Sequence, residues 1–381
     1  VSVRVPASTG WDEIELNPPR EWVKHPGGYS SRVAFAAAHV VADPRGNNVP
    51  GAPAAIDWDA TLSFRRGLFD YGLGVAEAMD TAQRNMGLDW AAAQELISRS
   101  ASQAKELGAR IASGAGTDHL PAHATLDEVH SGYLEQVAFV ESTGSQVIVM
   151  ASRQLAAVAR SVDDYRAVYD PILTQVSAPI ILHWLGETFD PQLAGYWGST
   201  DVATATDAFV DLVTTHAAKV DGVKVSLLSA EHEIGLRARL PEGVRMYTGD
   251  DFNYPELIRG DGDRHSDALL GAFAAIAPAA SAALAALDDG DLARYDSELA
   301  PTLALSRHIF EKPTFYYKTG IAFLSWLNGY QPGFTMVGGL QSARGVVHLA
   351  RLFALANDAR LLVDPELAAH RLGLVIEGAG A

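Results

Sequence analysis

The chain of 381 residues contains no cysteine, which excludes a disulfide framework, a thiolate-held metal and a cysteine nucleophile. Basic residues are scarce: 29 Lys and Arg stand against 46 Asp and Glu, a formal charge of −17. So acidic a chain has no general grip on phosphate backbones or anionic lipid, and neither nucleic acid nor membrane is expected as a partner. The longest small-and-apolar run, 268–287, is mostly alanine and carries Pro278 in its middle; it reads as two buried elements joined at the proline, not as a membrane span. A basic n-region followed by an apolar h-region is also missing at the start, so no secretory leader is expected and the cytoplasm is the default location.

Several signatures are absent. Gly72-x-Gly74-x-x-Glu77 lacks the third glycine of a dinucleotide fingerprint, and neither HExxH nor Gly-x-Ser-x-Gly occurs, which leaves open-sheet dehydrogenase, zinc protease and serine hydrolase readings without support. Asp261-Gly262-Asp263 lacks the later ligands of a calcium loop and reads, like Asp163-Asp164 and Asp288-Asp289, as a helix cap or solvated loop.

What the sequence does have is a folded chain's composition, 48% hydrophobic and 20% charged, enough for a sizeable core. Eight short apolar runs recur, at 32–38, 69–76, 109–113, 146–151, 179–184, 222–227, 244–248 and 269–276. Each is followed by a loop and a segment of helical periodicity, the clearest being 58–69 behind a capping Asp57, 90–107, 126–143 and 162–176. Repeated strand-plus-crossover units predict an α/β chain folded as a closed parallel (β/α)8 TIM barrel. Residues 1–30, with several prolines around a short alternating stretch, form an N-terminal extension with one hairpin; 31–278 is the barrel. Stretches 279–287, 291–310, 313–328 and 339–357 read as helices, so 279–381 is a C-terminal helical appendix.

In such a barrel the chemistry sits at the C-terminal ends of the strands. The polar residues there are His39, Glu77, Asp80, Asp118, His119, Arg153, His183, Lys224, Asp250 and Asp251. Lys224 is the most informative. It lies in Val223-Lys224-Val225, a strand buried on both faces, where desolvation favours the neutral amine that attacks carbonyls. Its other reading is a lysine that reaches the barrel mouth or pairs with a strand-end carboxylate.

Gly114-Ala115-Gly116, Gly222-Val223-Lys224, Gly249-Asp250-Asp251, Gly271 through Pro278 and Ile56-Asp57-Trp58-Asp59 together resemble the dihydrodipicolinate synthase and N-acetylneuraminate lyase superfamily over residues 31–357. The resemblance implies a class I aldolase or related lyase, a Schiff base on Lys224, no cofactor, and a homo-oligomer, dimer or tetramer. This sequence departs from the pattern at two places. Where the superfamily carries a hydroxyl-bearing Gly-Thr-Thr-Gly-Glu that holds a 2-oxo acid carboxylate, it reads Gly72-Leu73-Gly74-Val75-Ala76-Glu77, so pyruvate handling is in question. His183 stands in the place of the strand tyrosine that relays protons; a histidine titrating near neutrality suits that task, and a hydrogen-bonded core histidine is the other reading. Tyr247 is an alternative proton carrier.

The reading that follows is a lyase acting on a small carbonyl or sugar-derived compound, with Lys224 and His183 catalytic and Glu77, Gly74, Arg153, Asp250, Asp251 and His39 binding substrate. The alternative is a divalent-metal barrel isomerase or aldolase in which His39, His183 and Glu77 or Asp250 are ligands. His119-x-x-x-His123 is interrupted by Pro121 and is set aside. Glu231-His232-Glu233 reads as a solvated loop or helix start, and Tyr316-Tyr317-Lys318, Trp326 and Tyr330 as packing or subunit contact.

Overall fold

Eight of the ten strands among the described residues close on themselves. In this computed structural model, which describes residues 1–262 and 264–381, β1 (Ser2–Pro6) and β2 (Trp11–Glu15) form an antiparallel hairpin. The barrel strands are β3 (Ala34–Ala37), β4 (Gly74–Glu77), β5 (Ile111–Ala115), β6 (Gln146–Val149), β7 (Ile180–Leu185), β8 (Val220–Ser226), β9 (Arg245–Thr248) and β10 (Asp267–Leu270). They pair in parallel in chain order, and β10 closes on β3. The protein is a (β/α)8 TIM barrel with C-terminal helices. The loop reading of Asp261-Gly262-Asp263 falls partly on Asp263, outside the described residues.

The crossover helices start where capping chemistry permits. Asp57 accepts the Ala60 N–H ahead of helix Trp58–Asp70, Asp89 that of Ala92 ahead of Trp90–Leu107, and Thr125 with Glu128 forms a full capping box ahead of Leu126–Ser142. Two expected runs shift. The helix expected over 58–69 runs to Asp70, and the chain then turns at Gly72 (φ +72°), where a Cβ would strike the His25 carbonyl, so β4 begins only at Gly74. The last run divides: β10 ends at Leu270, and 272–276 opens a helix, Ala272–Asp288, that continues through Pro278. Ile276 departs from helical geometry (φ −117°), which places Pro278 at the start of a fresh turn, where its missing N–H costs least. The two elements expected around that proline are one kinked helix.

Side chains alternate between the barrel interior and the helix layer. Phe35, Ile148, Ile181, Tyr247 and Leu269 fill the interior, while Val147, Val149, Leu182, Val223 and Val225 pack outward. Helices Leu292–Ile309, Tyr317–Leu327, Val346–Asp358 and Pro365–Ala379 pack beyond Ala272–Asp288. The last of these was not among the expected helices, although Asp364 caps it and Pro365 occupies its first turn. The N-terminal segment ties both ends together: Asn17 exchanges hydrogen bonds with Asn357, and Ser30 and Ser31 N–H groups bind Asp288. No helix among the described residues is long and apolar enough to cross a membrane.

Candidate active site

Strand β8 turns Gly222, Lys224 and Ser226 inward, because its alternate residues Val223 and Val225 belong to the helix-facing core. Lys224 is 5% exposed and pairs in register with His183 on β7. Room for the lysine stem is made by Gly249, where a Cβ would collide with Ser226 Oγ and lie 2.9 Å from Lys224 Cε. Burial pushes the Lys224 amine below its ordinary value, against the attraction of Asp80 and Asp251.

Two acids face this amine from strand-end loops. Asp251 is buried, its Oδ1 accepts the Ala272 N–H at 2.9 Å, and burial raises its carboxyl to about 8 despite that bond and Lys224. Asp80 is half-buried, and for it desolvation is outweighed by Lys318, Lys224 and His183 and by a hydrogen bond from Tyr317, so it is held below the usual carboxylate range. Tyr317 Oη donates to Asp80 Oδ2 at 2.6 Å, so its 2.6 Å contact with Thr81 Oγ1 is one in which the threonine donates.

Phe315 and Lys318 come from the appendix and line a pocket at this end of the barrel. Its walls include Asp80, Arg84, Met86, Arg153, His183, Phe189, Phe315 and Lys318. The free space is about 40 Å³, room for a few water molecules. Lys318 is 2% exposed; its ammonium lies 4.8 Å from the Tyr317 ring centre and 5.5 Å from that of Phe315, and its hydrogen-bond partner is the Met86 sulfur at 3.4 Å. Burial lowers it to about 8, with Asp80 opposing. A thioether is a weak acceptor, so this cation lines the pocket with Asp80 nearby but with no carboxylate among the described residues within ion-pair distance. Tyr317 does pack, stacked on Phe310 with ring centres 4.4 Å apart, while Lys318 goes beyond packing and lines the pocket. The available signal was a single charge, Lys318, in the otherwise uncharged helix Tyr317–Leu327.

The other expected residues divide. Arg153 lines the pocket and donates to Asp190 at 2.6 Å. His183 lines it too, with Nε2 3.2 Å from Ser226 Oγ, but burial and Lys224 push its imidazole well below its ordinary value. It is neutral near pH 7, not poised there as its position suggested. Glu77 is not a pocket residue: both its oxygens are engaged by Arg65, at 2.6 and 2.8 Å, with both side chains fully buried. Gly74 opens β4 at the opposite end of the barrel, where its missing side chain makes way for the Phe35 ring. His39 is fully buried, bound to Gln331 and packed edge-on to Phe64, and burial lowers it to about 4. Asp250 spends its carboxylate on the N–H groups of Phe252 and Asn253 and the Asn253 side chain. Asp118 is tied to Arg84 and Gln136, and Tyr247 Oη points to Asp221 at the start of β8, away from the pocket. His39, His183, Glu77 and Asp250 are thus not brought together as a metal cluster among the described residues.

The family model described as "Protein of unknown function (DUF993)" matches residues 3–381. The chain belongs to the DUF993 family. No curated protein matches this DUF993 chain in sequence. In structure, it resembles dihydrodipicolinate synthase from Aquifex aeolicus, with TM-score 0.61, 13% identity, and coverage of 92% of this chain and 98% of that one. A prophage protein of the dihydrodipicolinic acid synthase family from E. coli K12, solved in complex with pyruvate, gives TM-score 0.63, 14% identity, and coverage of 92% and 98%. The enzyme from Acinetobacter baumannii, also complexed with pyruvate, gives TM-score 0.62, 15% identity, and coverage of 87% and 99%. At these identities the likeness establishes the fold alone: the DUF993 chain shares with these structures a (β/α)8 barrel followed by C-terminal helices.

Proposed function

We propose that the protein is a class I lyase, of aldolase or dehydratase type, that forms a Schiff base on Lys224 with a small carbonyl compound bearing a carboxylate or phosphate. The observation that carries this reading is a buried lysine amine inside the barrel beside two acids of opposite tendency, Asp251 buried and Asp80 half-buried. Desolvation gives Lys224 access to its neutral, nucleophilic form. Asp251, raised to about 8, is protonated near neutrality and can supply the proton that leaves with the carbinolamine oxygen as water. Once the iminium stands on Lys224 Nζ, it draws electrons from the bond beyond the adjacent carbon as that bond breaks.

Asp80, ionised and held by Tyr317, lines the pocket itself, and in this proposal it takes or returns a proton. His183 serves as a neutral hydrogen-bonding group beside Lys224. Lys318, with Arg153 at the same wall, receives the substrate's anionic group in place of the hydroxyl loop that the sequence lacks. Because the hydroxyls that would hold a 2-oxo acid carboxylate are missing from Gly72–Glu77, a sugar-derived carbonyl compound belongs to the proposed class beside a simple 2-oxo acid. This route requires no metal ion.

The test is intact mass after borohydride reduction with a panel of 2-oxo acids, sugar-derived aldehydes and ketones, run on the native chain, Lys224→Ala and Lys318→Met. The expected result is a reduced adduct on the native chain and on Lys318→Met, absent from Lys224→Ala. An adduct that survives Lys224→Ala, or none with any carbonyl compound, would overturn the proposal.

A further inference from the structure

A second group of chemically able side chains lies in the appendix, apart from the barrel mouth. His308, in the last turn of helix Leu292–Ile309, Glu311, just beyond that helix, and His348, in the first turn of helix Val346–Asp358, place one ligand atom each within 4.8 Å of one another. We infer that His308, Glu311 and His348 form a binding site for a divalent transition metal of the zinc, cobalt or nickel class. This inference is independent of the proposed activity.

The hydrogen-bond pattern supplies the argument. His308 Nε2 lies 2.9 Å from the His348 carbonyl. A carbonyl only accepts, so Nε2 carries a proton, and with no second proton on the ring Nδ1 presents a lone pair on the other side. That Nδ1 faces Glu311 Oε2 at 3.3 Å. A lone pair opposite a carboxylate oxygen needs a positive charge between them. The same arrangement, a histidine anchored through one nitrogen to a backbone carbonyl, is what fixes the tautomer of a metal-binding imidazole.

His348 completes the set, its Nδ1 2.8 Å from Glu311 Oε1. The two rings stack, with centres 4.0 Å apart and planes 20° from parallel, so their lone pairs run side by side. Convergence on one ion requires one ring to turn out of the stack about its Cβ–Cγ bond. His348 has a reason to turn, since its Nε2 is buried without a partner. The nearby Arg344 directs its guanidinium to the carbonyls of Glu311 and Pro313, leaving the carboxylate to the histidines. Two imidazoles and a carboxylate, with Glu311 47% exposed to water for further ligands, suit borderline cations better than magnesium or calcium.

The experiment uses the full chain, stripped with chelator and then titrated with Zn2+, Co2+ and Ni2+ at neutral pH by calorimetry, with Co2+ also followed by its visible absorption. His308→Ala and His348→Ala, singly and together, are titrated alongside, and circular dichroism checks that each folds. The expected result is one saturable site per chain for at least one of the three ions. Affinity should fall at least tenfold in each single variant and be lost in the double variant, with a higher melting temperature for the loaded native chain only. Binding that is equal in the native chain and the double variant, or no saturable binding, would overturn the inference and leave a proton on His308 as the charge facing Glu311. Because no carbonyl substrate enters this assay, its failure is distinguishable from failure of the Schiff-base reading.

Discussion

Lys224 and Lys318 are both buried, at 5% and 2% exposure, and their surroundings prepare them for different tasks. Lys224 faces acids; Lys318 faces aromatic rings and a sulfur atom. As pH rises through about 8, the lowered value of Lys318, this side chain loses its charge, and its hold on an anionic substrate should weaken. With a substrate identified by mass, KM is therefore expected to climb above that pH. Lys318→Met should raise KM by about tenfold to a hundredfold at neutral pH, the worth of a charge-assisted hydrogen bond, and abolish the alkaline rise. A KM unchanged by Lys318→Met would remove the anion from the proposed substrate. Gly249→Ala tests the stem of the other lysine: a methyl group would meet Ser226 Oγ, the Val225 carbonyl and Lys224 Cε, so adduct formation should slow sharply and the urea midpoint should fall.

At the scale of elements, the buried Arg65–Glu77 pair joins the first crossover helix to β4 and does more than balance charge. Glu77 Oε1 also accepts the Ala78 N–H at 2.8 Å, and Ala78 adopts φ +50°, a left-handed conformation that costs a residue with a Cβ about 1 kcal/mol or more. That turn leads to Asp80. Glu77→Ala, which leaves Arg65 buried without its partner, should destabilise the protein by about 3–5 kcal/mol in urea unfolding. Glu77 was legible in the sequence as a strand-end acid. Its engagement by Arg65 was not, because the two are 12 residues apart and meet only when helix packs on strand.

Glu233 gives a second element-scale case. Expected in a solvated helix start, it lies in helix Ala230–Arg237 but is 1% exposed and accepts hydroxyl hydrogen bonds from Thr248 and Ser266. Burial raises it from 4.5 to about 8, so the folded state holds a proton there that the unfolded state releases. Its contribution is full below pH 4.5 and is lost as pH rises through about 8. The urea midpoint should therefore fall between those values in the native chain and fall less in Glu233→Gln; parallel profiles would show that Glu233 is ionised when folded.

For the whole molecule, the appendix is both structural cover and part of the site. The helix Ala272–Asp288 is apolar on nearly every side, with 13 of its residues buried, and helix Leu292–Ile309 lies against it. A chain truncated after Asp288 should therefore aggregate, which soluble yield would show. The self-association proposed here, a dimer or tetramer, is tested by sedimentation; a single species of 40.6 kDa would end it.

Strand and helix periodicity, capping residues and the recurrence of strand-helix units are properties of neighbouring residues, and from them the sequence by itself determined the barrel, its helical appendix and the inward burial of Lys224. Which polar side chains meet was decided by tertiary structure. Tyr317 and Lys318 stand 237 and 238 residues beyond Asp80 in the chain, and His308 and His348 sit on different helices. The charge of each group depends on desolvation and on partners brought from afar, a collective property that local spacing does not encode.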